Sequence, residues 1–178
     1  IVGGGCGAAH AGRISSELAM PLVIIPRLAS GLCAYGEAIA DIKHDYTASY
    51  TTQLDSLDHD RLTSILESLE ANGHKDLASE GVAADAACIE RTLYIRYVGQ
   101  AWECPVTIPG GMVTRQMISE AEEGFHAVHE QLYTFSDRAT ECELITVNVT
   151  AYGRKPKIEV PSKPYEGRDP SQAKKGER

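Results

Sequence analysis

The sequence predicts an α+β fold. Three observations carry that prediction. Two apolar–polar alternating runs follow one another between residues 88 and 108, a long stretch of helical periodicity covers 114–132, and a final alternating run covers 143–151. Together they make a strand–strand–helix–strand module over residues 86–153, preceded by a segment 1–50 and a helical connection 51–85, and followed by an extended or disordered basic tail over 154–178.

The elements follow in order. Gly3, Gly4, Gly5 and Gly7 form a loop, and Ala11, Ile14 and Leu18 then repeat at helical spacing over 8–19. Met20-Pro21 ends that helix. Leu22-Val23-Ile24-Ile25 is apolar throughout, as a strand buried on both faces would be. After a turn over 26–31, Leu32, Tyr35, Ile39 and Ile42 mark one face of a second helix. Residues 46–54 are rich in Thr and Tyr and read as extended. Asp58 is placed to cap a third helix with Leu62, Ile65, Leu66 and Leu69 inward, and Asn72-Gly73 is its expected stop. The state of 75–81 is left open.

From residue 88 to 98, Ile89, Leu93, Ile95 and Tyr97 interleave with Glu90, Thr92, Tyr94 and Arg96. Trp102, Cys104, Val106 and Ile108 alternate again, with Gly99-Gln100 between the runs as a hairpin turn. Pro109-Gly110-Gly111 breaks the sheet. The long helix buries Met117, Ile118, Ala121, Phe125, Val128 and Leu132, and the last strand puts Ile145, Val147 and Val149 on one face.

The formal net charge of −8 is unevenly spread, because residues 154–178 hold eight Lys/Arg and four Asp/Glu against nine and twenty-one before them. An acidic body argues against nucleic-acid binding, which needs a basic face to meet phosphates. No apolar run reaches the roughly 18 to 20 residues of a membrane span. The cysteines Cys6, Cys33, Cys88, Cys104 and Cys142 are too far apart for a C-x-x-C motif and odd in number, as reduced thiols of a cytoplasmic protein would be. Ile1 stands where a start would have Met, and with the glycine loop it leads us to expect sequence upstream.

Ile1-Val2-Gly3-Gly4 is also how an activated trypsin-like protease begins. That mechanism needs a Ser nucleophile, a His base and an Asp that orients it. The motif around the Ser is absent, Ala8-Ala9-His10-Ala11 lies too near the start to be the motif around the His, and two long helical patterns contradict an all-β protease.

Four stretches stand out along the chain. They are Gly3-Gly4-Gly5-Cys6-Gly7-Ala8-Ala9-His10-Ala11; Pro21-Leu22-Val23-Ile24-Ile25-Pro26 with Ala40-Asp41-Ile42-Lys43-His44-Asp45-Tyr46; Arg96-Tyr97-Val98-Gly99-Gln100 with Glu103; and Phe125-His126 and Tyr133 with the run from Glu143 to Gly153. Their order and spacing resemble the hydantoinase/oxoprolinase family, which includes the ATP-dependent acetone and acetophenone carboxylases. Cys6-Gly7-Ala8-Ala9 departs from the commoner Ala-Gly-Pro-Leu, and Thr134-Phe135 from the usual Tyr-Gly.

The resemblance implies an actin-like ATPase fold upstream, with residues 1–50 as its last segment. It implies ATP with Mg2+ as cofactor, bound mainly by parts outside this chain, and Gly3, Gly4 and Gly5 against the adenosine end. It implies a small-molecule substrate activated by phosphorylation, and other subunits of a hetero-oligomeric complex as partners. A ketone carboxylase of the acetone or acetophenone type is the first expectation. A hydantoinase- or oxoprolinase-type cyclic-amide hydrolase is the alternative, and a non-catalytic assembly subunit is another.

The glycines are the best functional candidates on physical grounds too, since they let a ligand approach the backbone closely and precede a helix N-terminus. His10 is read as structural. His44 and Asp45 are neighbours on an extended segment and point to opposite faces, so they do not form a base with its orienting carboxylate. Arg96 and Glu103 are expected to pair across the hairpin, with an anionic group bound by Arg96 as the alternative. His126 and His129 share a helix face at a spacing that could hold a metal, but no third ligand is evident and no metal site is assigned.

Overall fold

The computed structural model describes residues 1–155 together with 167, 169 and 171. The expected basic tail therefore lies almost wholly outside the described residues. Helices α1 (Gly7–Glu17) and α2 (Leu32–Ile39) lead into strand β1 (Ile42–Gln53), helix α3 (His59–Ser79), strands β2 (Ala87–Tyr97) and β3 (Cys104–Ile108), helix α4 (Arg115–Tyr133) and strand β4 (Cys142–Gly153). The strands form one antiparallel sheet in the order β1-β4-β2-β3. The expected mixed α+β class holds, with β1 added as an edge strand. Residue 50, the expected end of the first segment, falls within β1.

Helices α3 and α4 cover one face of the sheet. Alternation in β2 turns Leu93, Ile95 and Tyr97 inward, and they meet Leu62 and Leu66 of α3 and Ile118, Ala121 and Phe125 of α4. The opposite face is polar, with Thr92, Asn148 and Thr150 in its middle. There the Thr150 hydroxyl donates to Asp45 Oδ1 at 2.6 Å and holds that carboxyl below the usual range.

Both long helices start as their sequences require. Asp58 Oδ1 accepts from Arg61 N–H at 3.0 Å and Thr114 Oγ1 from Met117 N–H at 3.2 Å, each relieving one orphan donor of the first turn. The end of α3 corrects the expectation at Asn72-Gly73. The helix runs on through the open stretch to Ser79, because Leu77 is buried and holds the last turns on the sheet. Gly81 takes φ +80°, its N–H donates to Ala78 O at 3.1 Å, and Val82 N–H donates to Leu77 O at 3.0 Å. That is a Schellman stop. Gly73 serves a different purpose: a Cβ there would stand 2.8 Å from Ala151 Cβ, so glycine lets α3 approach β4 closely.

Other expectations shift as well. A bulge in β4 pairs Tyr94 with Thr146 and Ile95 with Leu144, so Leu144 and not Ile145 joins Val147 and Val149 in the core. Trp102 precedes β3 and is 76% exposed, and Leu132 lies on the outer side of α4. The buried positions there are His126 and His129 instead. Ile42 begins β1 rather than extending α2. Leu22-Val23-Ile24-Ile25 is not a strand, for it has no ladder partner among the described residues, and Leu22 is 72% exposed. Its tie to the glycine end is one hydrogen bond, Val2 N–H to Ile24 O at 2.8 Å.

Candidate functional site

The glycine loop leads into α1. Gly4 takes φ +87°, a conformation that favours glycine, and its N–H donates to Ala29 O at 2.7 Å. A Cβ at Gly3 would meet Leu32 Cδ2 at 3.1 Å, whereas nothing lies within 4 Å of one at Gly4 or Gly5. The loop therefore rests on α2 through Gly3 and is open on the side of Gly4 and Gly5. Helix α1 begins at Cys6 with no side-chain cap and no acidic residue in its first turn. Its positive end is left to solvent or a ligand. Beside the loop runs an apolar groove of about 350 Å³ lined by Val2, Ala11, Ile14, Met20 and Leu22.

The other expected residues do not join this loop in one site. His10 is exposed on α1. His44 Nε2 meets Glu80 Oε1 at 3.0 Å while Asp45 faces Thr150 and Lys43, so the two lie on opposite faces as expected. Arg96 pairs with Glu143 of β4 at 2.9 Å rather than with Glu103. Residues 96 and 143 stand opposite each other in the β2–β4 register, and Glu103 precedes the paired part of β3. His129 is fully buried, with Nδ1 donating to Phe135 O at 2.8 Å and Nε2 accepting from Gln100 Nε2 at 2.9 Å. Both nitrogens are occupied, so His126 and His129 do not make a metal pair.

Two arrangements escaped the sequence reading. Arg91, on the core face of β2, forms a two-pronged pair with Glu70, at 2.5 Å for Nε–Oε1 and 2.9 Å for Nη2–Oε2, and donates through Nη1 to Gly111 O at 2.5 Å. The signal was legible: an arginine in line with Ile89, Leu93 and Ile95 needs a carboxylate, and Glu70 continues the spacing of Leu62 and Leu66.

The second arrangement joins Glu122 and His126 of α4, one helical turn apart, to Cys142 at the start of β4. One ligand atom of each lies within 4.8 Å of the others. His126 and Cys142 are buried. Tyr97 Oη lies 2.8 Å from His126 Nδ1 and also accepts from Asp137 N–H at 2.8 Å. Burial and the neighbouring Glu122 carboxylate push the Cys142 thiol up to about 12. The cysteine stood next to a strand start and the histidine within a helix pattern, so only the folded register unites them.

A four-stranded antiparallel sheet covered on one face by two helices defines a mixed α+β domain. The hydantoinase/oxoprolinase C-terminal domain matches residues 53–178, and this chain belongs to the hydantoinase/oxoprolinase family. Caprolactamase subunit alpha of Pseudomonas jessenii is 31% identical over 157 residues, covering 86% of this chain and 23% of that protein. The acetone carboxylase beta subunit of Xanthobacter autotrophicus is 25% identical over 183 residues, covering 97% of this chain and 26% of that protein. The nucleotide-free structure of acetone carboxylase superposes with a TM-score of 0.75 at 21% identity, covering 93% of this chain and 25% of that one, a likeness of fold. The chain thus spans about a quarter of the length of the relatives it matches. Among the described residues, no helix is long and apolar enough to cross a membrane.

Proposed function

We propose that this chain is the C-terminal region of the large subunit of an ATP-dependent enzyme, with residues 1–41 completing an actin-like ATPase domain and 42–153 forming a separate α+β module. The observation that carries the reading is the surface of the first segment. Ile14, Met20 and Leu22 are exposed and line the apolar groove beside the glycine loop, and Leu18, Ile24 and Ile25 of the same segment are exposed as well. Exposed apolar surface gathered in one segment marks a site that another structure covers. The upstream part of a chain four times as long is the natural cover.

Within that enzyme Gly3, Gly4 and Gly5 border the adenosine end of ATP. The open space at Gly4 and Gly5 fits such a neighbour. Phosphate and Mg2+ ligands come from elsewhere, because the loop offers backbone alone.

The reaction class we infer is phosphorylation of a carbonyl oxygen to activate it. The greater identity to the caprolactamase subunit favours a cyclic amide as substrate, opened by hydrolysis. The ketone carboxylase expected from the sequence is the second reading, supported by the acetone carboxylase subunit, which aligns over nearly all of this chain. Phosphate release by the complete enzyme, with its partner subunits, separates them. Stimulation by a lactam or another cyclic amide supports the first, and stimulation by a ketone with bicarbonate supports the second. Release that responds to neither class contradicts both.

A further inference from the structure

We propose that Glu122, His126 and Cys142 form a binding site for a zinc-class divalent transition-metal ion. The donor set is a carboxylate, an imidazole and a thiol, the mixture that selects zinc or cobalt over magnesium or calcium. With Zn–S near 2.3 Å and Zn–N near 2.0 Å, tetrahedral ligands stand about 3.3 to 3.8 Å apart. The three donors already lie within 4.8 Å of one another. Rotation of the half-buried Glu122 side chain closes the difference.

The surroundings fit an ion. Tyr97 Oη holds His126 Nδ1 at 2.8 Å, which orients the ring and leaves Nε2 as the nitrogen free to ligate. A metal on Nε2 puts the ring proton on Nδ1, facing the Tyr97 oxygen. The neighbouring Glu123 is paired with Arg138, whereas Glu122 has no cationic partner among the described residues. Access is open, because Glu122 borders a surface pocket of about 180 Å³ shared with Asp55, His59, Arg115 and Ser119. On binding, the Cys142 S–H bond breaks, its proton passes to solvent, and the thiolate electron pair forms the S–metal bond; nothing is oxidised or reduced. A water completes the fourth position.

The test uses the 178-residue chain stripped with a chelator and titrated with Co2+, then with Zn2+, in excess Mg2+. Because Cys6 and Cys33 are exposed, a Cys6→Ser/Cys33→Ser variant serves as the background. The expected result is one equivalent of Co2+ with a thiolate-to-cobalt charge-transfer band, displaced by one equivalent of Zn2+. Cys142→Ser should lose the band. The partly exposed Glu122→Gln, folded by circular dichroism, should bind at least about tenfold more weakly, since even outer-shell partners of a metal site are worth that much. A folded background chain that takes up no stoichiometric Co2+ would overturn the proposal. So would a band that survives Cys142→Ser, or an affinity unchanged by Glu122→Gln.

Discussion

At the scale of single residues, burial decides what a charge is worth. Arg91 is 4% exposed and meets Glu70 on two prongs, so Glu70→Ala leaves its guanidinium with the Gly111 carbonyl alone. The expected loss is about 3 kcal/mol, read by denaturant titration. Arg96–Glu143 is wetter, with side chains 26% and 16% exposed, and Glu143→Ala should cost only about 1 kcal/mol. The glycine loop divides in the same way. Gly4→Ala strains a positive φ and should cost about 1 kcal/mol, whereas Gly5→Ala should leave the melting temperature unchanged. The sequence singled out the loop as a unit but could not separate its members. What sets Gly4 apart is its φ of +87° and the bond from its N–H to Ala29 O, twenty-five residues away.

At the scale of elements, caps and periodicity were legible, and close approaches were not. Asp58 and Thr114 start their helices with local side-chain acceptors, and local chemistry is what a sequence displays. Gly73 looks like a stop, yet it is an approach to Ala151, a residue seventy-eight positions later. Its substitution should therefore run against helix propensity. Gly73→Ala should destabilise by about 1 to 3 kcal/mol through overpacking, while Gly12→Ala, in open space on α1, should not destabilise at all. The bulge that replaces Ile145 by Leu144 in the core was hidden likewise, since it exists only in the pairing of β4 with its neighbours β1 and β2.

Helix α3 is also tied to β1 by a titrating contact. Tyr46 Oη donates to Asp76 Oδ2 at 2.6 Å, and burial, then Asp76, raises its pKa from 10.0 to about 12. The folded chain holds that proton more tightly than the unfolded one. The contribution is present in full below pH 10 and is lost as the pH rises towards 12. Tyr46→Phe should flatten that part of the alkaline stability loss, leaving the share of the other groups that burial raises, Tyr97, Cys104 and Cys142. An unchanged slope from thermal melts across that range would show that the contact is not formed in solution.

At the scale of the whole molecule, the fold class and family were legible because alternation, helical period and the order of four motifs survive in sequence. The first segment was misread as containing a buried strand for the same physical reason that makes it informative. Leu22, Ile24 and Ile25 have the composition of a core strand, but no partner strand pairs with them among the described residues. An incomplete site should be inactive alone, so the 178-residue chain should turn over no more ATP than its denatured control. The most direct test of the account is the nucleotide affinity of the complete enzyme carrying Gly5→Val, with its thermal stability measured on the same sample. The account predicts weaker ATP binding with assembly and melting temperature unchanged, because the added side chain meets open space in this chain and intrudes only on what approaches the loop. ATP affinity equal to that of the parent enzyme would contradict it.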